Sequence, residues 1–339
     1  MVSERSLDVL RVIVHDYVAS REPVGSKSIV ERHSFGVSAA TIRNDMAALE
    51  EEELIVAPHT SSGRVPTDKG YRLFVDQLAD LKPLTQPQRH AIEIFLGESV
   101  DVDDVLARTV RLLAQLTHQV ALVQYPSLSN ARVRHIELVP VAADRVLCVL
   151  IADSGVVEQR IAEVSGPIDE TLLTAARARL NAACVGLRLG DVVEHLRGVV
   201  EQFPDSDRPH LEAIASALLE QIESTRHERL LMAGAANLVR TEHDFTGSIF
   251  PVLEAIEEQV ELLKLFGEMV TEQHGVSVSI GRENAAFGLA ETSVLASGYS
   301  GTGTGIARLG VLGPTRMDYS NNMAAVRAVA RYLSRQLGE

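Results

Sequence analysis

Residues 38–72 read SAATIRNDMAALEEEELIVAPHTSSGRVPTDKGYR, and the reading of the rest of the chain follows from this stretch. Ser38 suits a helix N-cap, because its hydroxyl can accept one of the unpaired N–H groups of a first turn. Ile42, Met46 and Leu49 follow at i, i+4 and i+7, the spacing of a core-facing stripe. Ala40, Arg43, Asn44 and Ala47 fall on the opposite face. Small residues there permit close approach to a groove, while Arg and Asn can each bond two atoms of guanine or adenine. A solvated helix face has the same composition, so the flanking segments decide between the two. Leu54-Ile55-Val56 reads as a short strand. His59 to Pro66 forms a small polar loop, with a second strand ending near Val65. Thr67 caps a further helix with apolar positions Tyr71, Phe74, Leu78 and Leu81. Upstream, Ser3 caps a helix carrying Leu7, Leu10, Val14, Tyr17 and Val18. Arg21 to Gly25 breaks that helix, Ser26 caps a second one with Ile29 and Val30, and Phe35-Gly36-Val37 turns into the third. Three helices followed by a hairpin form a winged helix-turn-helix.

The chain has 339 residues and a formal net charge of −14, which taken alone argues against a nucleic-acid binder. Its distribution is more informative. Residues 1–75 hold nine Lys/Arg and eleven Asp/Glu, and much of the negative charge is the single run Glu50–Glu53. The cations gather as Arg21, Lys27, Arg32 and Arg43, and as Arg64, Lys69 and Arg72. An acidic body suppresses non-specific DNA binding and leaves affinity to shape and base contacts. Trp is absent, so the cores are aliphatic. Cys148 and Cys184 lie among apolar neighbours without metal-ligand spacing and read as buried reduced thiols in a cytoplasmic protein. The N-terminus does not read as a signal peptide, and no apolar run spans a bilayer.

Lys82 to Pro87, with two prolines in a polar context, is the candidate linker. A helix near Val102 to Thr117 precedes strand-like runs at Val120–Tyr125, Val133–Val141, Arg145–Ile151 and Val156–Val164. From Ile168 to Val270 the pattern is helical, and Leu211, Ile214, Leu218 and Ile222 belong to a wide apolar stripe that a partner subunit would bury. Strands return at Val276–Ile280, Thr292–Tyr299 and Ile306–Leu312 before a final amphipathic helix. The expected architecture is therefore α+β and multidomain, one α/β domain carrying a helical insertion.

The runs Ser38 to Met46 and Ser61 to Arg72 closely resemble the heat-inducible transcription repressor HrcA family, as do Gly234-Ala235-Ala236-Asn237-Leu238 and Gly310 to Tyr319. The second run is the most specific, since a winged helix in general does not require it. The resemblance implies a winged helix domain over residues 1–81, a linker over 82–100, a GAF-like α/β domain over 101–165 and 230–339, and an inserted dimerising helical/β domain over 166–229. It further implies a repressor of chaperone operons that binds an inverted-repeat DNA operator as a homodimer, kept active by the GroEL chaperonin and inactive under heat stress. Glu53 departs from the family, which carries Gly before Leu-Ile to end the helix in a left-handed conformation.

Arg43 and Asn44 are the candidate base readers, with a phosphate or structural role as the alternative for Arg43. Ala40 allows the approach, Ser38 and Thr41 lie near phosphate, and Lys27, Arg64 and Lys69 are further DNA contacts. The glycines of Ser300 to Gly305 lack both GxGxxG spacing and a Walker lysine, and read as a hairpin between strands. No metal or cofactor site is expected, since no histidine set has ligand spacing. A hydrolase built on Ser300 or Asp318 has no supporting constellation. A regulator gated by a small metabolite in the second domain is the remaining alternative.

Overall fold

The computed structural model describes residues 2–59, 62–78, 84–96, 102–126, 131–226, 229–245, 247–269, 275–300 and 306–338. Thr60 and Ser61 of the expected hairpin loop, Leu81, Lys82 and Pro83, Val270, and Gly301, Gly303 and Gly305 lie outside the described residues. The chain begins with α1 (Glu4–Ser20), α2 (Ser26–Arg32), α3 (Ala39–Glu51), β1 (Ile55–Val56), β2 (Val65–Pro66) and α4 (Asp68–Asp76). Three of the expected caps form. Ser3 Oγ accepts from Ser6 N (3.1 Å), Ser38 Oγ from Thr41 N (3.2 Å), and Thr67 Oγ1 from Gly70 N (3.1 Å). The fourth is displaced by one residue. Gly25 is the N-cap of α2, and Ser26 is its first helical residue. The antiparallel β1–β2 hairpin pairs Ile55 with Pro66 and Val56 with Val65.

Glu53 takes the left-handed conformation, at φ +59°, that the position demands. Leu54 N donates to Leu49 O (2.9 Å) and Glu53 N to Glu50 O (3.0 Å), the paired bonds that close a helix C-terminus before a left-handed residue. The helix-to-hairpin turn is thus built as if glycine were present, at the steric cost of a Cβ. Gly70 answers a different constraint. A Cβ there would lie 2.0 Å from the Leu54 carbonyl oxygen, so α4 can cross the start of the hairpin only without a side chain.

Next come α5 (Gln86–Leu96), α6 (Val102–Thr117) and β3 (Val120–Gln124). Residues 86–96, expected within a linker, are therefore helical. Pro87 sits in the first turn, where its missing N–H costs nothing, and Ile92 is buried. Strands β4 (Val133–Ala142), β5 (Arg145–Ala152) and β6 (Val157–Glu163) form a separate antiparallel sheet in the order β4-β5-β6. Helices α7 (Glu170–Cys184), α8 (Val192–Glu201) and α9 (Arg208–Arg226) share one hydrophobic cluster with that sheet. Asn181 of α7 covers the edge of β4, accepting from Ile136 N (2.9 Å) and donating to Ile136 O (2.7 Å). Residues 133–163, expected to pack with 230–339, instead belong with the helices that follow them. Alternating apolar positions identify a strand but not the sheet it joins.

The chain then returns through β7 (Leu230–Ala233), α10 (Ala235–Arg240), α11 (Phe250–Glu258), α12 (Val260–Glu268), β8 (Ser277–Ile280), β9 (Thr292–Tyr299), β10 (Ala307–Pro314) and α13 (Tyr319–Gly338). Strand β7 interrupts a region expected to be helical throughout. The antiparallel sheet β7-β3-β10-β9-β8 is buried on both faces. Ala121, Val123, Leu309 and Val311 face a cluster with α6 and α13, while Val120, Leu122, Val294 and Leu312 face one with α11 and α12. The first cluster also takes in Leu10, Ile42 and Leu49, so the N-terminal helices share a core with this sheet.

Cys148 and Cys184 are free and buried, and burial pushes their thiols up to about 12 and about 11. Among the described residues no helix is long and apolar enough to cross a membrane. If the left-handed turn at residue 53 is steric strain, Glu53→Gly should raise the unfolding free energy by about 1 kcal/mol. Glu53→Val should lower it, since a branched Cβ is worse still in that region. Urea denaturation ranks the three proteins, and any order other than Gly, Glu, Val contradicts the strain.

Candidate nucleic-acid interface

Helix α3 presents the two faces its spacing requires. Ile42, Met46 and Leu49 are buried, while Ser38, Ala40, Arg43, Asn44 and Ala47 are exposed and Thr41 is half-buried. Ser38 Oγ and Thr41 Oγ1 are 3.0 Å apart at the helix N-terminus, where backbone N–H groups and the helix dipole favour an anion. The side chains of Arg43 and Asn44 make no hydrogen bond or ion pair with another described residue, and neither does that of Lys27, exposed on α2. These groups are free to meet a ligand.

Arg64 and Lys69 are placed differently. Arg64 Nε donates to Glu50 Oε2 (2.9 Å) and its Nη1 to Ser62 O (3.2 Å), while its backbone pairs with Val24 in both directions (2.8 and 2.9 Å). Lys69 Nζ donates to Glu52 O (2.7 Å), neutralising a carbonyl at the C-terminus of α3. Both cations therefore engage the acidic end of the helix and tie the hairpin and α4 to it.

Asp45 was not assigned a role from the sequence, although a carboxylate between Ile42 and Met46 on an apolar face was the signal. It is buried and accepts from Arg5 Nε (2.8 Å), Arg5 Nη2 (3.2 Å) and Ser6 Oγ (3.0 Å). These bonds fix the roll of α3 against α1, and so the direction in which Arg43 points. The interaction also holds the Arg5 guanidinium above its ordinary pKa.

Two polar junctions hold this unit on the five-stranded sheet. In the first, Arg316 Nη1 donates to the last carbonyls of α1, Tyr17 O and Val18 O (both 3.1 Å), and its Nε donates to Asp244 Oδ1 (2.9 Å). Arg316 and Asp244 are 9% and 5% exposed, and Arg21 donates to the other Asp244 oxygen at 3.2 Å. In the second, Arg72 of α4 donates to Glu283 (2.9 Å) and to Val278 O (2.7 Å), while Asp68 accepts from Arg282 N (3.0 Å). Tyr71 and Tyr319 meet between them, their ring centroids 5.6 Å apart. Arg316 and Tyr319 fall in the run Gly310–Tyr319 singled out from the sequence, and the junction gives these two residues a structural role.

Leu211, Ile214, Leu218 and Ile222, expected to face a second subunit, are 0–2% exposed within this one chain, in the cluster beneath β4–β6. The physical reason is that three strands arriving from residues 133–163 cover the stripe first. The exposed apolar residues lie on the other side of the same sheet. Val139, Leu147 and Ile161 pair across it in one row, with Val157 and Val141 nearby, and Val139, Val141, Val157 and Ile161 are 40–52% exposed. Asp318 accepts from Asn321 N (3.1 Å) in the first turn of α13, and Ser300 N bonds Ser334 Oγ (3.2 Å), so neither is arranged as a catalytic group. Among the described residues no cluster of His, Cys, Asp or Glu could hold a metal ion.

A family model described as the HrcA protein C terminal domain matches residues 103–323. The chain is 70% identical over its full length, and that of the relative, to a protein named heat-inducible transcription repressor HrcA from Clavibacter michiganensis subsp. michiganensis. It is 67% identical, again over both full lengths, to one of the same name from Leifsonia xyli subsp. xyli. Among solved structures, a hypothetical protein determined at 2.2 Å resolution superposes with a TM-score of 0.68 at 26% identity, covering 99% of each chain.

Arg316→Ala would leave the buried Asp244 with only the exposed Arg21 and His243 beside it and open the Val18 carbonyl, since Tyr17 O keeps its bond from Arg21 N. Loss of about 3 kcal/mol of unfolding free energy is expected, read by urea denaturation. Arg316→Lys should recover only part of it, because an ammonium cannot reach carboxylate and carbonyls in one plane. A change below about 0.5 kcal/mol in the alanine variant would show that the junction does not hold the two parts together.

Proposed function

The chain belongs to the heat-inducible transcription repressor HrcA family, which comprises transcription repressors and not enzymes, and from that premise we propose that α3 reads an inverted-repeat DNA operator as part of a homodimer. In this reading residues 1–78 form a winged helix domain, the five-stranded sheet and its helices a GAF-like domain, and residues 131–226 the inserted dimerising domain, all in a cytoplasmic protein. The carrying observation is the exposed face of α3, where Arg43 and Asn44 stand free beside small residues. Arg43 and Asn44 read base edges. Ser38, Thr41 and the helix N-terminus hold phosphate, and Lys27 makes a second phosphate contact. Arg64 and Lys69 act at the edge of the interface, where approaching phosphates would compete with Glu50 and the Glu52 carbonyl for them.

The outer face of β4–β6 supplies the dimer contact in place of the buried α9 stripe. A row of valine, leucine and isoleucine side chains across three strands is the kind of exposed apolar patch that a soluble chain covers with a partner. A two-fold dimer through this face would display two reading helices with fixed spacing, matching an inverted repeat.

Fluorescence anisotropy against a labelled inverted-repeat duplex, with a scrambled duplex as control, tests the reading. Arg43→Ala should weaken operator binding by about 1–3 kcal/mol and relax discrimination at one position. Ile161→Asp should convert dimer to monomer in sedimentation and weaken operator binding with it. Unchanged discrimination in a folded Arg43→Ala dimer would remove the base-reading role.

GroEL maintains the active form in this proposal. The support is the architecture itself: three hydrophobic clusters, two polar junctions and a non-contiguous sheet must all assemble before α3 is correctly placed. Contacts between residues distant in sequence slow folding and prolong exposure of apolar surface. The yield of operator-binding protein after heat denaturation should therefore rise when GroEL, its co-chaperonin and ATP are added. A yield independent of chaperonin would overturn this mechanism.

A further inference from the structure

A cleft of about 770 Å³ is lined by residues of α5, β9 and α13 and by none of α3. Its size is that of a small-molecule site. Four arginines line it, Arg89 from α5 and Arg327, Arg331 and Arg335 from α13, against one carboxylate, Glu93. This is a local excess of positive charge in a chain whose net charge is −14.

The arrangement is costly for the fold. Arg327, Arg331 and Arg335 follow one another at i, i+4 and i+8, and like charges four residues apart destabilise a helix. The C-terminal dipole of α13 (Tyr319–Gly338) offsets only Arg335, which lies in the last turn, because that effect fades beyond it. Arg327 and Arg331 make no hydrogen bond or ion pair with any described residue. Arg335 is held 5.4 Å over the Tyr332 ring, leaving its N–H edge available, and Arg89 uses only its Nε, on Leu84 O (3.0 Å).

The neutral polar groups of the cleft are already occupied. Ser297 Oγ donates to Gly275 O (2.8 Å), and Ser334 Oγ donates to Ala330 O (2.9 Å) and accepts from Ser300 N (3.2 Å). What remains for recognition is guanidinium, above a floor made small by Ala324 and Ala328. Arginines lining one cleft from two elements suit an anion with two or more charges, which each guanidinium can bond through a pair of N–H groups. We propose that this cleft binds a small polyanion, a phosphate ester or a di- or tricarboxylate. A bound polyanion would bridge α5 and α13, clamping onto the body the helix that follows the DNA-reading unit.

Isothermal titration of the full-length protein at constant ionic strength, with sodium pyrophosphate, ADP and citrate as separate titrants, tests the site. Saturable binding of at least one is expected. Binding of pyrophosphate and ADP without citrate identifies phosphate as the recognised group, and binding of citrate alone identifies carboxylate. The double variant Arg327→Gln/Arg331→Gln should lose at least about tenfold in affinity. Its melting temperature without titrant should match or exceed that of the parent, since a like-charge pair has been removed. Arg43→Ala, at a residue that does not line the cleft, should bind as the parent does. The proposal fails if none of the three anions binds saturably at millimolar concentration. It fails equally if the double variant binds as tightly as the parent, or if Arg43→Ala rather than the double variant abolishes binding.

Discussion

The Arg316 guanidinium is where the two ends of this chain meet. The last carbonyls of a helix have no partner within it, and α1 ends against the body of the protein rather than in water. Arg316 satisfies one of them, Val18 O, and adds a second donor to Tyr17 O, which Arg21 N already bonds, while Asp244 balances its charge, with Arg21 on the second carboxylate oxygen. A pair this buried contributes little net stability, because desolvation offsets most of the attraction. Its value lies in geometry. A planar guanidinium bonded on two edges permits one orientation of α1, Asp45 fixes α3 to α1, and α3 carries the exposed Arg43. The direction of that side chain is thus set by residue 316, at the opposite end of the sequence.

The sequence makes some of this legible and hides the rest for identifiable reasons. The faces of α3, the hairpin and three of the N-caps follow from local spacing, because each depends on residues within one or two turns. Glu53 could be read as an oddity, and the turn does impose the left-handed backbone that glycine would adopt more easily. The strand positions were also visible, since a sheet buried on both faces leaves continuous apolar runs. Their partners were not. Nothing in Val133–Ala142 says that it pairs with its own neighbours rather than with β3. The α9 stripe illustrates the same limit: its amphipathic pattern shows that a face is covered, and covering by the chain's own sheet produces the same pattern as covering by a second subunit. Helix α5 was concealed by Pro87, a residue that marks a loop in the middle of an element and a helix start in its first turn. The junction residues Asp244 and Glu283 could not have been found from spacing, since their partners lie more than 70 residues away.

The α3 face carries few cations, and Arg64 and Lys69 are already drawn toward the acidic end of their own helix. A chain of net charge −14 gains little from a diffuse phosphate atmosphere. If α3 reads DNA, each half-site must therefore rely on a few short-range contacts that need correct placement. Two such half-sites become effective together only when their separation is fixed, since the second contact gains from the first in proportion to how well the linkage holds it in position. Weak non-specific attraction and rigid domain junctions are then two parts of one requirement. A repressor with a strongly basic face could tolerate a loose hinge; on the proposed reading this chain could not, and its polar junctions, the dimer contact proposed on β4–β6 and the clamp proposed at α5 all bear on one quantity, the position of α3.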